Sequence, residues 1–237
     1  MRVDAARTVR ELAVELPHAT RVFEKLGIDY CCGGARSLEE ACTAARVPVD
    51  EVLRSLDAAP AAQAAVEWQT APLQSLIEHI LARHHAYVRS EIPRLEALLA
   101  KVNSVHGERH AELADIQASF RGLGQELLMH CMKEEQILFP YIIEMEQTLA
   151  QRRPVRPPMF GTLRNPVQMM MMEHDSAGEA LRAIREASSG FTVPEDACVS
   201  YQTLYRALAE FEADLHQHIH LENNILFPRA VEMENGA

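Results

Sequence analysis

Two stretches of the chain, HCMKEEQILFP at 130–140 and HIHLENNILFP at 218–228, share His-x-x-x-Glu-x-x-Ile-Leu-Phe-Pro in register. A four-residue step on an α-helix returns to the same face, so each stretch sets an imidazole one turn before a carboxylate. The apolar tail calls for a core beneath the pair, and the proline for an end to the helix. One His-x-x-x-Glu pair alone reads as a surface contact. Two in register, each continuing an apolar line, require a fold that uses one piece of chemistry twice.

The lines themselves are regular. The first pair continues Leu113, Ile116, Phe120, Leu123, Leu127, His130, Glu134 and Ile137; the second continues Tyr201, Leu204, Leu208, Phe211, Leu215, His218, Glu222 and Ile225. Two further lines are Ile77, Leu81, His85, Val88, Ile92, Leu95, Leu99 and Val167, Met170, His174, Ala177, Leu181, Ile184. All advance by three or four residues, the helical period. The spacing predicts helices over 73–104, 111–138, 166–188 and 198–226, with the proline-rich QRRPVRPPMFGTLRNP (151–166) as a long connection. The fold class is therefore all-α, an up-down four-helix bundle over 73–237. Ahead of it, residues 1–58 read as a small helical N-terminal domain in which two amphipathic stretches flank the turn DYCCGG. The Ala- and Pro-rich APAAQAAVEWQTAP at 59–72 reads as a linker.

Each long helix turns one histidine inward, and two add a glutamate. Buried ionisable groups cost several kcal/mol unless a partner or a cation compensates them. Shared cations would satisfy all six, so His85, His130, Glu134, His174, His218 and Glu222 are the candidate metal ligands. Four imidazoles exceed the needs of a tetrahedral zinc site, and a structural zinc favours thiolates. Calcium and magnesium favour oxygen. Mixed nitrogen and oxygen donors at six positions suit iron best and manganese less well, with two metals bridged by Glu134 and Glu222. The Glu-x-x-His pattern of ferritin-like bundles has the opposite balance of ligands.

The other histidines and cysteines separate by position. His84 also falls on a seam, with Ile80 and Tyr87, but His85 has the longer apolar line. His106 would stand about 30 Å from His85 along a straight helix and is left outside the set. His216 and His220 flank His218 by two residues, which gives them surface or supporting places. Cys131 lies about 100° around the helix from His130 and reads as a packing residue. The run Met169–Met172 reads mostly as flexible core filling, with about half of it facing outward toward the N-terminal domain or a second copy of the chain, so a homodimer is an open arrangement. Cys31 and Cys32, set before two glycines, are a candidate thiol pair that receives, passes on or redox-gates iron.

A net charge of −11 without clustered Lys and Arg argues against nucleic acid as a partner. The most apolar window, VQMMMM, is too short to span a membrane, and the N-terminus reads as an amphipathic helix and not as a secretory leader. Five cysteines, two of them adjacent, do not make a disulfide framework, which points to a reducing cytoplasm.

DYCCGG (29–34), HCMKEEQILFP (130–140), MEHDSAGE (172–179) and HIHLENNILFP (218–228) together carry a resemblance. The bundle resembles the hemerythrin fold. The whole chain is similar to the iron–sulfur cluster repair di-iron proteins, also called regulators of cell morphogenesis and nitric-oxide signalling. That resemblance implies a centre of two non-haem iron ions, oxo- or hydroxo-bridged, on the six ligands above. It implies iron–sulfur proteins as clients, repair after nitrosative or oxidative damage, and iron donation as the means. Binding of nitric oxide or O2, as a sensor or carrier, and enzymatic nitric-oxide reduction are the alternatives it leaves open.

Overall fold

The structure, a computed structural model, describes residues 3–16, 18–58 and 68–236. Among them no strand forms. The α-helices are α1 (Val9–Glu15), α2 (Ala19–Leu26), α3 (Leu38–Ala45), α4 (Val49–Ala58), α5 (Leu73–Ile80), α6 (Ala86–His106), α7 (Glu112–Lys133), α8 (Phe139–Ala150), α9 (Arg164–Ala187), α10 (Val199–Leu221) and α11 (Phe227–Asn235). Three π-helical turns, Leu81–His85, Glu134–Leu138 and Glu222–Leu226, join α5 to α6, α7 to α8 and α10 to α11. The described residues divide into two compact units, those within 3–76 together with 216–236, and 77–215. Of the stretch expected as a linker, 59–67 lie outside the described residues. No helix among the described residues is long and apolar enough to cross a membrane.

In the first unit two capping boxes start the short helices. Thr8 and Glu11 exchange side-chain and backbone hydrogen bonds at the head of α1, and Ser37 and Glu40 do the same for α3. The two heads are tied by an isolated bridge between Thr8 and Ser37 and by Leu38 N–H donating to the Arg7 carbonyl at 2.8 Å. Gly27 closes α2 at φ +67°, a left-handed conformation that glycine adopts without strain. Beneath these helices Val9, Leu12, Phe23, Ile28, Leu38 and Val52 form the core. Arg229 of α11 donates to the carbonyls of Trp68 and Ala71 at 2.5 and 2.7 Å.

In the second unit α6, α7, α9 and the first part of α10 pack along their apolar lines. Phe120 meets Phe211 edge-on at 5.3 Å, and Tyr87 stacks on the same ring. A Cβ on Gly124 would stand 3.0 Å from Ile92, so this glycine lets α7 approach α6 closely.

Three expectations need correction. Pro140 does not end its helix: the backbone stays right-handed helical through the π-helical turn Glu134–Leu138, and Pro140 stands at the second position of α8, where the wider turn gives way to the α-helix. Pro228 opens α11 in the same way. The wider turn holds one residue more than an α-turn, and each extra residue rotates the following faces by about 100°. Ile137, expected inward, is 53% exposed, while Leu138 and Phe139 take the core positions; Ile225, at the same place in the third turn, is buried as expected. The methionine run is also not mostly core: Met170 is buried, whereas Met169, Met171 and Met172 are exposed. Of the two places expected for His220, surface or supporting, its burial leaves the supporting one.

Candidate metal centre

Each π-helical turn lies beside a histidine or glutamate of the expected ligand set. His85 ends the first turn, Glu134 begins the second one turn after His130, and Glu222 begins the third. Such bulges in α-helices are frequent at functional sites because they re-aim side chains without ending the helix. The first one carries the neighbouring histidines His84 and His85. Both are buried, but His84 Nδ1 faces Asp214 Oδ2 at 3.0 Å while His85 Nε2 faces Glu134 Oε2 at 3.4 Å.

Within the second unit His85, His130, Glu134 and His174 converge. Glu134 is fully buried, with Oε2 3.4 Å from His85 Nε2 and 3.3 Å from His130 Nε2. The Nε2 atoms of His130 and His174 stand 3.0 Å apart. One ligand atom from each of His130, Glu134 and His174 fits within 4.8 Å of the others, and the same holds for His85 with Glu134. In the first unit His218 and Glu222, both fully buried on the continuous helical path from α10, face each other through Nε2 and Oε1 at 2.9 Å.

The far sides of the imidazoles explain how they are aimed. His85 Nδ1 meets Glu135 Oε1 at 2.7 Å, and His130 Nδ1 meets Glu173 Oε2 at 2.8 Å. Burial pushes both glutamates up, but hydrogen bonds from His85 and Arg89 to Glu135, and from Lys133 and His130 to Glu173, hold them below the usual carboxylate range. An ionised acceptor at Nδ1 keeps the proton there and leaves Nε2 as a lone-pair donor pointing inward. Several inward nitrogen lone pairs around a buried carboxylate repel one another unless positive charge lies among them. The donor set therefore fits a cation, and its nitrogen-rich mixture fits iron. A groove of about 450 Å³, lined among others by Leu127, Met129, Lys133, His130 and His174, reaches this cluster from solvent.

The second constellation is the thiol turn of the first unit. The Asp29 carboxylate accepts the backbone N–H groups of Cys31 and Cys32 at 3.2 and 2.9 Å and the Cys31 thiol at 3.4 Å. Although burial alone would raise it, the backbone donors of Gly33 and Cys32 hold Asp29 below its ordinary range. Cys31 and Cys32 sulfurs lie 3.9 Å apart. The hydrogen bond to Cys32, then burial and the Asp29 charge, keep the Cys31 thiol well above the usual range and so protonated. Asp29, Cys31 and Cys32 each offer a ligand atom within 4.8 Å of the others.

The two glycines that follow have steric reasons. A Cβ on Gly33 would press on Asp29 at 3.1 Å, and one on Gly34 would stand 3.0 Å from the Tyr30 carbonyl and 3.1 Å from Asn224 Oδ1. Asn224 anchors the turn: it accepts from Arg10 Nε at 2.8 Å and donates to the Tyr30 carbonyl at 2.9 Å. It also donates to His220 Nδ1 at 2.9 Å, an imidazole that burial pushes down to about 4 and so keeps neutral. Asn223 reaches the Cys31 carbonyl at 3.5 Å. His216 pairs with Glu24 at 3.1 Å. Cys131 is buried in packing.

Glu135, Glu173, Asn223 and Asn224 were not singled out from the sequence. Their signal was adjacency, since each lies within two residues of an expected ligand.

Comparison with known proteins gives the chain a family. Residues 76–230 match the family model described as the hemerythrin HHE cation binding domain, and residues 5–60 match a domain of unknown function, DUF542. The chain is 37% identical over 230 residues to a probable iron-sulfur cluster repair protein of Haemophilus influenzae, covering 96% of this chain and 97% of the relative. It is 38% identical over 226 residues to the iron-sulfur cluster repair protein YtfE of Citrobacter koseri, covering 94% and 96%. The corresponding protein of Escherichia coli O157:H7 is 37% identical over 226 residues, with the same coverage.

Proposed function

The chain belongs to the hemerythrin-type iron–sulfur cluster repair proteins, and from that membership we propose that it repairs clusters by passing iron from a two-metal centre through Cys31 and Cys32. In this reading His85, His130, Glu134, His174, His218 and Glu222 hold two iron ions. A pair so bound would supply reducible positive charge and could take small ligands such as nitric oxide or O2. Glu135 and Glu173 hold protons at Nδ1 of His85 and His130, which keeps each Nε2 available. The iron cargo passes to the two thiols and the Asp29 carboxylate, with the thiol protons released as the sulfurs bind.

The observation that carries this reading is the anchoring of the thiol turn. Asn223 and Asn224, which directly follow Glu222, grip the carbonyls of Cys31 and Tyr30. The cysteines are thereby tethered to the chain segment that bears two of the proposed ligands. Damaged iron–sulfur proteins are the proposed clients.

Metal analysis with an optical spectrum of the purified protein tests the centre. The expected result is two irons per chain. One tightly bound zinc with no iron would overturn it.

A further inference from the structure

A separate constellation lies in the second unit, at the opposite end of α6 from His85. His106 closes that helix, about 30 Å along its axis at 1.5 Å per residue. Its imidazole is 4% exposed, its Nε2 stands 3.2 Å from Cys198 Sγ, and its Nδ1 has no hydrogen-bond partner among the described residues. Cys198 is exposed and immediately precedes the 23-residue α10, its carbonyl accepting the Gln202 N–H at 3.0 Å. A helix N-terminus favours negative charge, and an imidazole at this distance can take a thiol proton.

The surrounding groups are arranged to leave that pairing intact. His110 bridges Glu112 at 3.2 Å and Asp196 at 2.9 Å, and Arg109 meets Asp196 at 3.1 Å, so the nearby carboxylates are engaged with cationic or polar partners. The Tyr201 ring packs on His106 at 5.3 Å, and its hydroxyl donates to Glu112 at 3.3 Å. No third ligand atom gathers at Cys198 and His106 among the described residues, which favours thiol chemistry over a metal site. The other cysteines contrast with Cys198. Cys31, Cys42 and Cys131 are buried, and Cys32 is partly so.

We propose that Cys198, with His106 as its base, is a site of reversible thiol–disulfide exchange with low-molecular-weight disulfides. His106 Nε2 takes the Sγ proton, and the sulfur attacks one sulfur of the disulfide. The disulfide S–S bond breaks, and the departing thiolate takes the proton from His106. Cys198 is oxidised to a mixed disulfide, and the reagent is reduced to one thiol for each adduct formed. An excess of free thiol runs the same exchange backwards.

The test treats full-length protein with oxidised glutathione and maps the adducts by peptide mass spectrometry, beside Cys198→Ser and His106→Gln. The first adduct is expected on Cys198 and is absent from Cys198→Ser. A free thiol is only a few per cent thiolate at pH 7, which caps activation by a base at about thirtyfold. His106→Gln is expected to slow modification roughly tenfold at pH 7 and to meet the wild-type rate above about pH 9, where thiols ionise unaided. Convergence at high pH also shows that the thiol environment survives the substitution. Should His106→Gln fail to fold, the wild-type rate at pH 7 is compared with that of a peptide spanning 193–203, which is expected to react roughly tenfold more slowly. A first adduct on Cys31 or Cys32, equal rates for His106→Gln and wild type at every pH, or a peptide as fast as the protein would each overturn the proposal.

Discussion

Replacing Asn224 by alanine removes three hydrogen bonds from one buried position. The bond from Arg10 has a charged donor, and those to the Tyr30 carbonyl and His220 are neutral, all at 2.8–2.9 Å. At about 2 kcal/mol for the charged bond and about 1 for each neutral one, the loss is about 4 kcal/mol, or nearly a thousandfold in a local opening equilibrium. The turn and the head of α1 open together, because Arg10 N–H donates to the Gly34 carbonyl at 2.9 Å and Val9 N–H to the Arg36 carbonyl at 2.9 Å. Native-state hydrogen exchange by mass spectrometry reads this directly. In Asn224→Ala, exchange over residues 9–10 and 29–34 is expected to rise by two to three orders of magnitude. Asn223→Ala, whose bond to the Cys31 carbonyl is long at 3.5 Å, is expected to change it less than Asn224→Ala does. A change below about fivefold in Asn224→Ala, worth under about 1 kcal/mol, would refute the anchoring argument.

Further expectations concern the bundle and the ligand supports. Leu138→Ala is expected to cost about 2–5 kcal/mol in chemical denaturation, whereas Ile137→Lys should stay within about 0.5 kcal/mol, the reverse of what an uninterrupted α-helix would give. Glu173→Gln, which removes the charged partner of His130 Nδ1, is expected to weaken iron binding on the order of 10–100-fold in a chelator competition. Because Glu135 and Glu173 are held below the ordinary range in the fold, their contribution is complete above that range and is lost as pH falls through their depressed values. The thermal midpoint should therefore drop on acidification below the ordinary glutamate range, and a Glu135→Gln/Glu173→Gln variant should be flatter there. Gly34→Ala should loosen the thiol turn as Asn224→Ala does, since its Cβ would press on the Tyr30 carbonyl and Asn224.

The helical period made the bundle legible, because an apolar line at three- and four-residue steps specifies a buried face wherever it occurs. It also made each inward histidine visible as an interruption of such a line. The same periodicity failed at Ile137 and at the prolines, where a π-helical turn adds a residue that no local pattern announces. His84 and His85 illustrate the consequence: both are buried, and only their partners, Asp214 and Glu135, tell them apart. The supporting carboxylates and the asparagine anchor act through contacts distant in sequence, as from Asn224 to Tyr30 or Glu173 to His130, and sequence spacing carries no record of them. The distance of His106 from His85 along the helix excludes it from the candidate ligand set, and its contact with Cys198, far along the chain, is one that spacing does not announce.

The proposed route takes iron from the bundle by way of the vicinal thiols. The direct measurement mixes the iron-loaded full-length protein with an apo iron–sulfur protein and follows cluster absorbance, beside Cys31→Ser/Cys32→Ser loaded to the same iron content. Transfer is expected from the wild type, and at least a tenfold slower rate from the double variant, whose candidate bundle ligands are unchanged. Iron that stays bound in the wild type, or equal transfer from both proteins, would contradict it.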